Sequence, residues 1–138
     1  MKKIRILIGM MGIDQHEAGA IGVSRLLRDA GMEVVYTGRF NSSEMIIQTA
    51  LHEDVDIIGL SFHSWDFLYY IPEMIEMLKE RDLSIPIIAG GSVITHEDAS
   101  KLKAMGAADA FCPSVSDNDI IESIKKIVLA ENDTPRQP

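Results

Sequence analysis

The chain has 138 residues, 46% hydrophobic and 25% charged, the make-up of one ordinary globular domain with room for a real core. Its formal charge of −8 argues against a nucleic-acid surface, which needs a basic face, and against a membrane surface; no apolar run reaches the length of a membrane span. The single cysteine, Cys112, excludes an internal disulfide framework and fits a reducing cytoplasm, and Met1-Lys2-Lys3 leads straight into a strand rather than into the apolar region of a signal peptide.

The first strand signal is Ile4 to Gly9, and the loop after it carries Asp14-Gln15-His16-Glu17-Ala18-Gly19. Val23, Leu26, Leu27 and Ala30 then fall at helical spacing, closed by Gly31. A second strand spans Glu33 to Thr37. Ser43 to Glu53 reads as a helix with Ile46, Ile47, Ala50 and Leu51 inward. The third strand, Asp56 to Ser61, is followed by a helix from Phe67 to Arg81 that uses Ile71, Met74, Ile75 and Leu78. Pro72 suggests that its regular part begins close to Ile71. Ile85 to Ala89 is a fourth strand. Thr95-His96-Glu97-Asp98 has the form of a capping box opening a helix that ends near Gly106. A short strand, Asp109 to Cys112, precedes a last helix lined by Ile120, Ile121, Ile124, Ile127 and Val128. Residues 1–130 thus form one domain, and the polar Glu131 to Pro138, with two prolines, is expected to be a frayed tail.

Five strand-helix units with mostly continuous apolar strands predict an α/β fold: a flavodoxin-like, Rossmann-like doubly wound parallel sheet of five strands, order 2-1-3-4-5. In that order strands 1 and 3 are neighbours whose connections leave in opposite directions, and ligands bind at their carboxyl ends. The loops carrying Asp14 and His16, Ser61 and His63, and Gly90-Gly91-Ser92 therefore converge on one rim.

A histidine on that rim can offer a ring nitrogen to a metal. A carboxylate two residues earlier can hold the other nitrogen and set the tautomer, and a glycine three residues later admits a bulky ligand. Asp14, His16 and His63, with Glu17, also suit zinc or iron chemically, although no His-x-x-x-His or cysteine pair supports a closed site. Ser61 and Gly90-Gly91 are equally compatible with plain turns. Trp65, Phe67, Tyr69 and Tyr70 form either helix packing or an apolar wall beside a flat ligand or partner. His52 and His96 are expected on the surface. Cys112 reads as a small core residue with no basic partner nearby. Gly9-Met10-Met11-Gly12 is neither a dinucleotide fingerprint nor a phosphate loop, and the third strand ends in Gly59-Leu60-Ser61 without the acid a response regulator would need. Gly9, Gly12 and Gly19 lead us to expect a mobile first loop in the absence of ligand.

The three loops together resemble the cobalamin-binding domain of the vitamin B12-dependent mutases. The family signature is Asp-x-His-x-x-Gly, Ser-x-Leu and Gly-Gly; here it reads Asp14-x-His16-x-x-Gly19, Ser61-Phe62-His63 and Gly90-Gly91, at matching separations over nearly the whole chain. The likeness is greatest to the stand-alone small subunits of split acyl-CoA mutases of the methylmalonyl-CoA and 2-hydroxyisobutyryl-CoA type. Corrinoid methyltransferase proteins usually carry a helical domain before the motif, for which residues 1–3 leave no room. Two positions depart from the pattern: His63 replaces the motif's leucine, and Met10 stands where methylmalonyl-CoA mutases often have lysine.

The resemblance implies adenosylcobalamin as cofactor, with His16 ligating cobalt from the lower face, the cofactor's own base displaced, and Asp14 orienting the imidazole. It implies that Glu17, Gly19, Ser61, Phe62, His63, Gly90 and Gly91 line the cofactor site, with the nucleotide tail entering between strands 1 and 3. It further implies a cytoplasmic isomerase subunit without catalytic side chains of its own beyond cofactor ligation. Activity would need a larger chain that binds the acyl-CoA, and any homo-oligomer would form through that heteromer. The alternatives are a corrinoid carrier or sensor without mutase activity, or a small metal-binding domain using Asp14, His16 and His63.

Overall fold

A computed structural model describes residues 3–12 and 17–133. Asp14 and His16 lie outside the described residues, as does the part of the expected mobile loop that contains them. Five strands, β1 (Arg5–Met11), β2 (Glu33–Asn41), β3 (Ile57–Ser61), β4 (Ile87–Gly90) and β5 (Asp109–Phe111), alternate with five helices, α1 (Ala18–Asp29), α2 (Ser43–His52), α3 (Phe67–Glu80), α4 (His96–Met105) and α5 (Asp117–Asp133). Every described strand pairing is parallel, and the order is β2-β1-β3-β4-β5, as the alternation of strand and helix signals predicts.

Strand parity divides the core. Leu7, Ile58, Leu60, Ile87 and Ala89 face α2, α3 and α4, where they meet Ile46, Ile47, Phe67, Ile71, Met74 and Leu102. Ile6, Ile8, Met10, Ile57, Ile88 and Phe111 face the opposite side, toward Ala20 and Leu27 of α1 and Ile124 and Val128 of α5. Met10, Ser61, Gly90 and Phe111 are register partners across four strands, so they form one row at the carboxyl edge of the sheet.

Several local expectations shift. Leu51 is 44% exposed, because Ala50 and Ile47 already fill the α2 contact. Val23, Leu26 and Ala30 are half-buried; Ala20, Ser24 and Leu27 form the inner stripe of α1. Ile75 is half-buried, and α3 starts at Phe67 and runs through Pro72. Proline there removes only the bond to the Leu68 carbonyl, while buried Phe67, Ile71 and Met74 hold the segment in place. The capping box at Thr95 is present, with Asp98 returning the bond to the Thr95 amide. Helix α5 continues to Asp133, three residues into the expected tail; residues 134–138 lie outside the described part.

The second strand is longer than predicted because it is irregular. Ile8 pairs with Tyr36, Gly9 with Gly38, and Met11 with Asn41, so β2 inserts extra residues against β1. Gly38, at φ 71°, supplies the backbone conformation this requires. Buried Asn41 fastens the bulged end: its amide donates to the carbonyls of Met10 at 2.8 Å and Gly38 at 2.9 Å. Gly9 is a packing glycine, since a Cβ there would lie 2.4 Å from Thr37 Oγ1 and 2.9 Å from Ile46 Cδ1. Gly19 sits within α1. Neither therefore supplies the backbone freedom expected of the first loop.

Candidate functional site

Small residues open a cleft at the carboxyl edge of the sheet. Gly59 and Ser61 of β3 and Gly90 of β4 all point toward α1 and α5. Where larger side chains would fill the layer, a cavity of about 380 Å³ remains. Its floor is Ile8, Gly59 and Ile88; one wall is Gly19, Val23 and Leu27 of α1; the other is Val115, Ile120 and Ile124 beside and on α5. This size falls in the usual range of small-molecule sites, roughly 300–1,000 Å³. Ser61, His63, Gly91 and Ser92 supply polar or backbone groups along its rim.

Two glycines have defined mechanical roles there. Gly91 has φ 151°, and a Cβ on it would stand 1.8 Å from the Phe62 carbonyl oxygen. The turn after β4 therefore packs directly on the backbone after β3, reinforced by the bond from the Phe62 amide to the Gly90 carbonyl at 2.9 Å. Gly19 faces the His63 ring, which a Cβ would approach to 3.1 Å, and lies near Ser61 Oγ. His63 and α1 thus meet across the cleft mouth.

Of the residues singled out by sequence, Gly19, Ser61, His63, Gly90 and Gly91 all line this cleft. Phe62 does not. It follows Ser61 directly, so strand alternation turns its ring to the other face, where it is 1% exposed and packs edge-on to Phe67. Its contribution to the rim is its backbone. Glu17 also lies elsewhere: it accepts a bond from Tyr36 Oη at 2.7 Å and pairs with Arg39 Nε at 3.6 Å, both on β2. The proposed metal set of Asp14, His16 and His63 includes two residues outside the described part. Among the described residues no three His, Cys, Asp or Glu side chains gather as a metal site.

The aromatic cluster divides between both readings. Phe67 is fully buried, whereas Trp65 stacks on it at 6.2 Å and remains 67% exposed; Tyr69 is 62% exposed. Cys112 is buried, as expected, but it does have a basic neighbour. His96 opens α4 at the same rim and brings Nδ1 to 3.5 Å from Cys112 Sγ. The Ser114 hydroxyl, 3.2 Å away, holds the thiol below its ordinary pKa. Sequence separation hid this pairing, because the residues belong to different connections.

The wall formed by Val115, Ile120 and Ile124 was also missed. The signal was available: the connection after β5 leaves from the same sheet edge as the three glycine- and serine-bearing loops.

Tyr36 is the most perturbed group near the site. Burial pushes its phenol from 10.0 to about 12, with the Glu17 carboxylate adding to the rise and Arg39 opposing it. The neutral phenol is thus the donor to Glu17. Its folded pKa is raised, so the contribution to stability is complete below pH 10.0 and is lost as pH rises through about 12. Near-ultraviolet phenolate absorbance should show a late ionisation step that Tyr36→Phe deletes; a titration unchanged by that substitution would contradict the assignment.

A doubly wound sheet with a small-residue cleft at its switch point is a ligand-binding α/β domain. The family model described as "B12 binding domain" matches residues 4–118, and the chain belongs to this family. It is 36% identical to the 2-hydroxyisobutanoyl-CoA mutase small subunit of Aquincola tertiaricarbonis, over 92% of this chain and 93% of that one. It is 33% identical to the pivalyl-CoA mutase small subunit of Xanthobacter autotrophicus, over 89% of this chain and 82% of the other. Among solved structures, a cobalamin-binding protein from Desulfitobacterium hafniense superposes with a TM-score of 0.77 at 21% identity, covering 91% of this chain and 60% of that one; this likeness concerns the fold. No described helix is long and apolar enough to cross a membrane.

Proposed function

We propose that this chain is the cobalamin-binding small subunit of an adenosylcobalamin-dependent acyl-CoA mutase, an isomerase of the cytoplasm that works with a larger chain. The observation that carries the reading is the cleft at the β1–β3 switch point of a B12-binding chain that matches mutase small subunits over 93% and 82% of their length.

The described residues fit the group. A flat, apolar base on a flexible nucleotide arm suits a cleft floored by Ile8 and Ile88 and walled by Leu27, Val115 and Ile124. Gly90 and Gly91 let such an arm pass against backbone, and Ser61 offers it a hydroxyl. His16 would ligate cobalt, and Asp14 would accept a hydrogen bond from its second ring nitrogen, fixing the ring and raising its basicity. His63, at the mouth beside Gly19, takes the place of the family's leucine and would put an imidazole next to the bound cofactor.

When bound, adenosylcobalamin supplies homolytic cobalt-carbon chemistry for a radical carbon-skeleton rearrangement. The protein's part is to bind and orient. The larger chain encloses the acyl-CoA and keeps water from the reacting carbons.

Titration of the full chain with adenosylcobalamin tests this reading. Binding should shift the visible spectrum to the base-off form, and His16→Ala should abolish protein ligation of cobalt. A chain that does not bind, or a variant that binds as the native chain does, overturns it. Mutase turnover on adding a large subunit separates the mutase reading from a corrinoid carrier or sensor.

A further inference from the structure

Glu17 follows His16 directly and occupies the N-cap position of α1. An N-cap side chain ordinarily accepts a bond from its own helix. The Glu17 side chain makes no such bond. Its carboxylate reaches across to β2 instead, accepting from Tyr36 Oη at 2.7 Å and pairing with Arg39 Nε at 3.6 Å. The Glu17 carbonyl meanwhile accepts from the Ile21 amide at 2.9 Å, so the same residue starts the helix.

The other end of this connection is fastened to the same strand. The Gly12 amide donates to the Asn41 carbonyl at 2.8 Å, and the Asn41 amide holds the Met10 carbonyl. The irregular pairing of β2 with β1 makes this double attachment possible. The bulge at Gly38 brings that backbone up against Glu17, whose Oε1 would lie 3.8 Å from a Cβ there. Residues 12 and 17 are thus anchored by the last six positions of β2, and His16 lies between them in sequence.

We propose that Glu17, with Tyr36 and Arg39, is a positioning clamp that sets the segment bearing His16 for ligation of cobalt, without Glu17 itself touching the cofactor. The proposal rests on the reading of His16 as the cobalt ligand. A phenol that keeps its proton serves such a clamp, since it remains a donor at every physiological pH. Glu17 is thereby moved from the group expected to line the cofactor site to one that acts through its neighbour.

The test loads the full, nitrogen-15-labelled chain with cob(II)alamin well below its unfolding temperature. Electron paramagnetic resonance then distinguishes a protein nitrogen on cobalt from the cofactor's own unlabelled base. Native protein should show protein ligation and His16→Ala none. Glu17→Ala should weaken cobalamin binding about 10-fold or more, in line with other residues that orient a metal ligand, and should lower the protein-ligated fraction even at saturation. Glu17→Gln keeps an acceptor for Tyr36 and should recover most of that fraction.

A purely structural role would move the unfolding midpoint and leave the ligated fraction of folded, saturated protein unchanged. That result in Glu17→Ala, with His16→Ala behaving as expected, overturns the clamp alone. Should Glu17→Ala not fold, Tyr36→Phe, which removes one oxygen, decides by the same readout. If His16→Ala retains protein ligation, the reading of His16 fails and the clamp fails with it.

Discussion

Gly91→Ala is expected to lower the stability of the cofactor-free chain by roughly 3–5 kcal/mol, which places it among the severe single substitutions. Two costs combine. The backbone at φ 151° is one that residues with a Cβ rarely adopt, worth about 1–3 kcal/mol of strain. The added carbon would also lie 1.8 Å from the Phe62 carbonyl oxygen, and backbone cannot swing aside as a side chain can. Relief requires separating the ends of β3 and β4, which threatens the Phe62–Gly90 bond and the bond from the Ile94 amide to the Gly91 carbonyl. Each such bond contributes about 1 kcal/mol net. Thermal or urea unfolding checks this; a fall in midpoint of about 10 °C is expected, and one below about 3 °C would contradict the packing described.

Gly90→Val should do the opposite: leave the fold intact and damage the site. A Cβ on Gly90 meets only Phe111, at 3.8 Å, an ordinary contact. A β-branched residue also suits a strand better than glycine does. The unfolding midpoint should therefore stay level or rise. The new methyl groups, however, project into the cleft between α1 and α5, where Gly90 is part of the lining. Overpacking of this kind costs about 1–3 kcal/mol, which corresponds to a loss of roughly 5–150-fold in cobalamin affinity. Gly22→Ala is the control, because a Cβ at that helical position meets nothing within 4 Å. It should leave binding unchanged. Native affinity in Gly90→Val, measured by spectral titration, would show that the cleft does not receive the cofactor.

The contrast between these neighbouring glycines shows how far the sequence could be read. Gly90-Gly91 stood out as a pair, yet one glycine is there for the space above it and the other for the backbone beneath it. That division depends on which strand tip lies alongside, and β3 is separated from β4 in sequence by the whole of α3. Ser61 and Phe62 carry a similar lesson with a different ending. Their placement on opposite faces follows from strand alternation alone: if Ser61 faces the cleft, the Phe62 ring cannot. Pro72 lies inside α3 although proline disfavours a helix interior, because buried Phe67, Ile71 and Met74 hold the segment against the core.

The amino-acid sequence by itself determined the alternation of strands and helices, the parallel sheet order, and the meeting of Gly19, Ser61, His63, Gly90 and Gly91 at one rim. Those properties follow from local periodicity and from chain connectivity, which a linear string contains in full. The tertiary structure alone decided that His96 reaches Cys112 and that Glu17 is held by Tyr36 and Arg39 of β2. Each of these is a contact between side chains carried by different strand-helix connections. Such contacts are set by the twist and bulging of the sheet and by how helices settle on it, and neither is encoded at a fixed spacing along the chain.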